Sequence, residues 1–122
     1  MDKKDQKLPR TQRLKSHKMI SRLFDRNSKD CFTVPVYPYR AVVFREPDTP
    51  AGFPEVLVSV PKRSFKKAVL RNRIKRLTRE AYRLQKAAFA HKTYIAFLYV
   101  GKEVPEFSQV QRAVGAILDK LK

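Results

Sequence analysis

Apolar residues recur every three or four positions in three segments of the chain, which is the spacing of one face of an α-helix. Helices are therefore predicted over residues 16–26, from about residue 67 to residue 88, and over residues 107–121. Their apolar faces comprise Met19, Ile20, Leu23 and Phe24; then Leu70, Ile74, Leu77, Ala81, Leu84 and Ala88; and finally Phe107, Val110, Val114, Ile117, Leu118 and Leu121.

Three other segments are rich in β-branched and aromatic residues, which predicts strands over residues 32–44, 55–60 and 93–100. Pro35 and Pro38 give the first segment an edge position or an irregular start, because proline cannot donate a hydrogen bond to a neighbouring strand. The last segment is almost continuously apolar, as expected of a strand that is covered on both faces.

The order of the elements predicts one α+β domain, with a small β-sheet packed against three helices. Residues 1–13 are polar and basic and are interrupted by Pro9, so we expect a mobile basic arm followed by a domain over residues 14–122. Residues 45–54 contain three prolines and a glycine and predict a loop.

The net charge indicates the class of partner. Lys and Arg number 28 against 11 Asp and Glu, which gives a formal charge of +17. A surplus this large in a small domain is typical of a protein that binds a polyanion. The longest unbroken apolar run, residues 94–100, is far shorter than the roughly 20 residues that cross a bilayer. Nucleic acid is therefore the expected partner, and a membrane is not.

Two further features bear on the compartment. The first ten residues lack the apolar centre of a signal peptide, and the single Cys31 cannot form an internal disulfide or supply a zinc site. We expect a cytoplasmic protein.

The middle helix carries a cationic face opposite its apolar one. On a wheel at 100° per residue with Leu70 at zero, the basic and amide side chains sweep from about 100° to 240°. They are Arg71, Asn72, Lys75, Arg76, Arg79, Arg83 and Lys86, and Glu80 lies outside the sweep. A solvated helix face usually mixes charges of both signs to gain i,i+4 pairs, whereas this one is almost purely positive. Contact with a phosphate backbone is the favoured interpretation, and a solvated surface is the alternative.

The segment before this helix, residues 61–67, adds Lys62, Arg63, Lys66 and Lys67 where a strand turns into the helix N-terminus. Backbone N–H groups at a helix N-terminus suit phosphate, so we favour RNA contact here over a merely solubilising loop.

Aromatic residues near a basic surface could stack on unpaired bases. Phe24 and one of the pair Tyr37 and Tyr39 are candidates for such a platform, although apolar residues at these spacings are most often core. For Ile20 the core and a contact are equally supported.

We find no grouping of residues that predicts catalysis. The acidic residues are scattered, His17 and His91 lie in polar stretches flanked by lysine, and three glycines are too few for a glycine-rich phosphate loop. Nuclease chemistry that depends on metal ions normally needs several carboxylates to hold them. We therefore expect no catalytic residue, no metal site and no cofactor bound by the chain itself.

Residues 71–80, RNRIKRLTRE, resemble the RNR signature of the protein subunit of bacterial ribonuclease P. Other features of that family lie in matching places, and the resemblance covers about residues 13–120. These features are Arg13, Leu14 and Lys15 before a helix that ends in Leu23 and Phe24, and Ser59 and Val60 followed by Lys62 and Arg63.

The resemblance implies a fold like that of the second domain of ribosomal protein S5, with a left-handed βαβ crossover. It implies an RNA-binding subunit of an endoribonuclease whose RNA subunit, with bound Mg²⁺, removes the 5′ leader of precursor tRNA. The implied partners are that catalytic RNA and precursor tRNA. No DNA or membrane is implied, and the free protein is expected to be monomeric.

The RNR helix of the family faces the catalytic RNA, and a cleft between the first helix and the sheet binds the single-stranded leader. Matched residue by residue, the resemblance assigns Arg71, Asn72, Lys75, Arg76 and Arg79 to the RNR positions and Phe24 to the leader cleft. This chain has Ile20 where many members have an aromatic residue, and Lys66 and Lys67 where many have Gly-Asn. The full predicted RNA-binding set is Phe24, Tyr39, Lys62, Arg63, Lys66, Lys67, Arg71, Asn72, Arg73, Lys75, Arg76, Arg79 and Arg83.

Two other functions are compatible with the charge. A ribosomal protein would share the fold type and the basic surface, but it would not carry the RNR segment. A self-sufficient nuclease would cleave precursor tRNA without an RNA subunit.

Overall fold

The structure, a computed structural model, describes residues 31–46, 49–85 and 88–121. The described part of the chain forms four strands and two helices. In chain order they are β1 (Cys31–Val36), β2 (Tyr39–Arg45), β3 (Glu55–Ser59), α1 (Ala68–Gln85), β4 (Thr93–Tyr99) and α2 (Phe107–Leu121). The predicted α+β class is confirmed. The predicted basic arm and the first predicted helix, with Ile20 and Phe24, lie outside the described residues.

The four strands form one mixed sheet in the order β1-β2-β4-β3. β1 pairs antiparallel with β2, and β2 pairs antiparallel with β4, with Tyr39 opposite Tyr99. β3 runs parallel to β4, with Val56 opposite Ile95. Parallel neighbours need a crossover connection, and α1 supplies it. The left-handed sense of this crossover, implied by the resemblance, stays a prediction.

Both described helices pack on one side of the sheet, which we call the helix face. The core there joins alternate residues of the strands to the buried sides of α1 and α2. It includes Tyr39, Ala41, Val43, Val56, Val58, Ile95, Phe97, Ile74, Tyr82, Val114 and Ile117. The opposite side, the far face, holds a smaller cluster of Phe44, Tyr94 and Ala96. β4 contributes to both clusters, which confirms that this strand is covered on both faces.

The segment predicted as one strand over residues 32–44 is two strands. Tyr37 and Pro38 form a turn between β1 and β2, and their peptide bond is cis. Pro35 lies within β1, which is one of the two edge strands of the sheet. Proline is tolerated there because an edge strand has one side without a partner, so the edge position is confirmed while the single strand is wrong.

The buried side of α1 is turned by roughly 60° from the predicted stripe, at 100° per residue. Ile74, Thr78, Ala81 and Tyr82 are buried, whereas Leu84 is 52% exposed. Polar atoms account for the difference. Thr78 can enter the core because its hydroxyl donates to the backbone carbonyl of Ile74 at 2.8 Å and lies 2.5 Å from the hydroxyl of Tyr39.

Candidate nucleic-acid interface

The segment of residues 61–67, which we call the basic loop, is fixed at one point and exposed elsewhere. The carbonyl of Pro61 accepts hydrogen bonds from the backbone N–H groups of Ser64 and Phe65. The Phe65 side chain is 5% exposed, and its ring centroid lies 5.8 Å from that of Tyr99. This anchor leaves the four basic side chains of the loop exposed: Lys62, Arg63, Lys66 and Lys67.

Arg71 joins the basic loop to the first turn of α1. Its Nη1 donates to the carbonyl of Phe65 at 2.7 Å and to that of Lys66 at 2.9 Å. Neutral carbonyls do not cancel the guanidinium charge, so Arg71 both orders the loop and contributes to its positive potential. The predicted role of Arg71 in RNA binding stays a prediction, and its contacts show a structural role that the sequence did not indicate.

Because α1 is rotated about its axis relative to the predicted orientation, Arg76 lies near the centre of the solvent-facing side of the helix. Asn72, Arg73 and Arg76 are exposed, and Lys75 and Arg79 are half-buried along the flank. Within the described residues, no ion pair involves Arg73, Lys75 or Arg76. Arg73 and Arg76 are three positions apart, and like charges at this spacing destabilise a helix by about 0.2–0.5 kcal/mol per pair. The uncompensated charge therefore costs stability in the free protein, and phosphate groups would relieve it.

Arg83 differs from the other basic residues of α1. Its Nη2 lies 2.5 Å from Oε1 of Glu80, and its Nε donates to Oε2 at 3.2 Å. The hydrogen bond to Glu80 raises the pKa of Arg83. This pair compensates one charge at the C-terminal end of the helix, so the net positive charge is concentrated at the N-terminal end and in the basic loop.

The prediction that Tyr39 contacts RNA is wrong. Its side chain is 1% exposed, its hydroxyl lies against that of Thr78, and its ring packs edge-on against Phe97 at 6.3 Å. Burial raises the pKa of Tyr39 to about 12. A ring enclosed on the helix face of the sheet has no surface for a base. Tyr37, the alternative, is 73% exposed.

Phe24 lies outside the described residues, so its predicted place in a leader cleft stays a prediction.

The described part of the chain contains no group of three His, Cys, Asp or Glu residues that could hold a metal ion. His91 lies at the other end of the sheet, with Nδ1 3.2 Å from the carbonyl of Thr49. No described helix has the length and apolar character needed to span a membrane.

Comparison with known proteins agrees with this arrangement. A family model described as Ribonuclease P matches residues 8–122. The chain belongs to the ribonuclease P protein family. Residues 71–80, which resemble the RNR signature of this family, lie within α1, and Arg73 and Arg76 of that segment are exposed.

Two curated relatives named Ribonuclease P protein component show how far the similarity extends. The protein from Porphyromonas gingivalis (strain ATCC 33277) is 44% identical over 86 residues, which are 65% of this chain and 63% of the relative. The chain thus spans 63% of the length of that relative. The protein from Chlorobaculum tepidum is 31% identical and covers 98% of this chain and 86% of its own length.

Two solved structures share the fold. The RNase P protein of Staphylococcus aureus superposes with a TM-score of 0.71 at 21% identity, over 91% of this chain and 95% of that one. The RNase P protein of Thermotoga maritima, solved in complex with 1-(4-fluorophenyl)-2-thiourea, has the same TM-score at 18% identity and covers 90% of this chain and all of its own. These similarities show that the arrangement of β1–β4, α1 and α2 is that of the family.

Proposed function

We propose that this chain is the RNA-binding protein subunit of ribonuclease P. In this role it binds the catalytic RNA subunit and the 5′ leader of precursor tRNA, and it promotes the endonucleolytic removal of the leader that forms the mature 5′ end. The observation that carries the proposal is the RNR segment on α1, which presents Arg73 and Arg76 to solvent without acidic partners in the described part of a family fold.

The physical role of the chain is electrostatic. A catalytic RNA and a precursor tRNA are both polyanions and repel one another, and a subunit of charge +17 that contacts phosphates of both offsets that repulsion. The chemistry belongs to the RNA subunit and its Mg²⁺ ions, as the resemblance implies. The residues of this chain bind and position the two RNAs, and the chain itself binds no cofactor.

The far face of the sheet is the proposed site for the leader. Phe44 and Tyr94 stack there with their ring centroids 5.9 Å apart, and Val42, Leu57 and Leu98 are half-buried beside them. Arg40 is exposed on the same face. Phe44 is 2% exposed and Tyr94 is 8% exposed, so these rings support the site from below, and the accessible surface is formed by the half-buried Val42, Leu57 and Leu98. Arg40 at the end of this surface suits the phosphates of a single strand. Phe24 would add a stacking ring to this surface.

We propose that the protein acts in the cytoplasm, is monomeric when free of RNA, and binds neither DNA nor membranes in this function.

Recovery of the tagged chain from the cells that encode it, followed by sequencing of the bound RNA, tests the proposal. We expect two enriched classes: one structured RNA in equal amount to the protein, and precursor tRNAs that retain their 5′ leaders. Enrichment of ribosomal RNA instead would contradict the proposal and would support a ribosomal protein. A variant with Arg73→Gln and Arg76→Gln serves as the control and should lose most of both classes.

A further inference from the structure

Tyr37 is the most exposed aromatic side chain in the described part of the chain. It is 73% exposed, compared with 43% for Phe32 and for Phe53. Val100 lies beside it at the end of β4 and is 49% exposed. Neither Tyr37 nor Val100 belongs to a core cluster, so packing within the described part of the chain does not explain why these two apolar side chains are there.

The backbone under Tyr37 is held in place from both sides. The N–H of Val100 donates to the carbonyl of Pro38 at 2.8 Å, and Tyr39 on the other side is locked in the core. Gly101 packs so tightly that a Cβ there would lie 2.7 Å from the hydroxyl of Tyr99 and 3.1 Å from Cβ of Pro38. A ring presented from a fixed backbone loses less conformational entropy when it binds a partner.

The topology places the basic loop at the same edge of the sheet as Tyr37. β3 and β4 are parallel, so their carboxyl ends meet at this edge, where Tyr99 pairs with Tyr39. The basic loop leaves from the end of β3, and its Phe65 ring lies against Tyr99. The pKa of Tyr99 is raised mainly by burial and further by the neighbouring Tyr37. Tyr99, which lies opposite Tyr39 and against the Phe65 ring, is therefore placed between the β1–β2 turn and the basic loop.

The charge of this edge is positive. The four cations of the basic loop and Lys102, which follows β4, are all exposed, and Glu103 adds one negative charge. An exposed aromatic ring next to exposed cations is the combination that binds unpaired nucleotides, because the ring takes the flat face of a base and the cations take its phosphates. An acidic partner without flat rings would gain nothing from Tyr37, so RNA is favoured over an acidic protein.

We propose that Tyr37 is a stacking platform for an unpaired nucleotide of bound RNA, with Lys62 and Lys102 contacting the flanking phosphates. The proposal rests on the proposed RNA-binding function and adds a site to it. This site lies in the turn at the edge of the sheet and is separate from the far face. A base within a duplex has both of its flat faces covered, so the site takes single-stranded segments, loops or ends.

Binding of a fluorescently labelled ten-nucleotide oligoadenylate tests the site. We expect Tyr37→Ala to weaken binding at least about fivefold, the lower end of what a single base–aromatic stack contributes. Tyr37→Trp retains a flat ring and should bind as tightly as the unmodified chain. Phe53→Ala, which removes an exposed ring before β3 at the opposite edge of the sheet, should leave binding unchanged. A duplex RNA of equal length should bind the Tyr37→Ala variant and the unmodified chain equally.

The Tyr37→Trp variant provides a second readout, because the sequence contains no tryptophan. Its fluorescence should change when oligoadenylate is added and not when the duplex is added. The proposal is overturned if this fluorescence does not respond, or if Tyr37→Ala binds oligoadenylate normally while Arg73→Gln with Arg76→Gln weakens it. In those cases the proposed function stands. If the unmodified chain binds no RNA at all, both the function and the site are wrong.

Discussion

A variant with Arg73→Gln and Arg76→Gln is expected to bind the catalytic RNA subunit about 10- to 100-fold more weakly than the unmodified chain. Each substitution removes a charge-assisted hydrogen bond to phosphate, worth on the order of 1 kcal/mol in an exposed site. The slope of log K against log salt should also become shallower by about 1.4–1.8, because each lost phosphate contact removes about 0.7–0.9. A titration at several salt concentrations measures both quantities.

The matched control changes the same charge elsewhere on the surface. Arg112 and Lys120 are exposed on α2, so Arg112→Gln with Lys120→Gln removes two positive charges without touching α1 or the basic loop. This control should bind within about threefold of the unmodified chain, since only the general electrostatic attraction is reduced. Equal weakening by the two double variants would show that net charge, and not the α1 surface, governs binding.

Replacement of Ile74 by alanine is expected to lower the free energy of unfolding by about 2–5 kcal/mol, measured by urea denaturation. Ile74 is 0% exposed and lies near the centre of the buried side of α1. Truncation there removes core contacts and leaves a cavity that the surrounding sheet and helix cannot close.

Leu84→Ala on the same helix is the comparison for this effect. Because Leu84 is 52% exposed, its truncation should change the free energy of unfolding by less than about 0.5 kcal/mol. The apolar stripe predicted from the sequence contains both Ile74 and Leu84 and predicts similar burial for the two side chains. Similar losses for both variants would support that stripe and contradict the observed orientation of α1.

Local patterns predicted the elements that are governed by one simple property. The continuous apolar run of β4 indicated a strand covered on both faces, and the helical spacing of Val110, Val114 and Ile117 indicated the buried side of α2. The positive charge of α1 could be predicted directly from its amino-acid sequence. In each case side-chain polarity alone decides which surface is buried.

The orientation of α1 could not be predicted in this way, because it depends on polar residues that enter the core. Thr78 is buried since the carbonyl of Ile74 and the hydroxyl of Tyr39 lie within hydrogen-bonding distance of it. Tyr82 is buried with its ring 6.2 Å from that of Phe97, and burial raises the pKa of its hydroxyl. A prediction from side-chain polarity alone places both Thr78 and Tyr82 on the solvent-exposed side of the helix. The sequence predicts Tyr39 as an RNA contact because it is an aromatic residue near a basic surface, and the Thr78 hydroxyl that it meets in the core is 39 positions away.

The sequence indicates Tyr37 as a stacking candidate and Lys62 as an RNA contact, but it does not indicate that the two residues share an edge of the sheet with Lys102. The three residues are distant in sequence, and only the order of the strands brings them to the same edge. The parallel pairing of β3 and β4 is the decisive feature, since it puts the carboxyl ends of both strands at the β1–β2 turn. A sequence signal for this edge would require knowing which strands are neighbours.

Cleavage of a precursor tRNA by the reconstituted enzyme tests the central claim most directly. The assay compares the catalytic RNA subunit alone, the chain alone and the two together, at a magnesium concentration where the RNA alone is slow. We predict that the chain accelerates cleavage at the mature 5′ end only when the RNA subunit is present, and that Arg73→Gln with Arg76→Gln abolishes most of the acceleration. Cleavage by the chain without RNA, or an unchanged rate when the chain is added, would contradict the account.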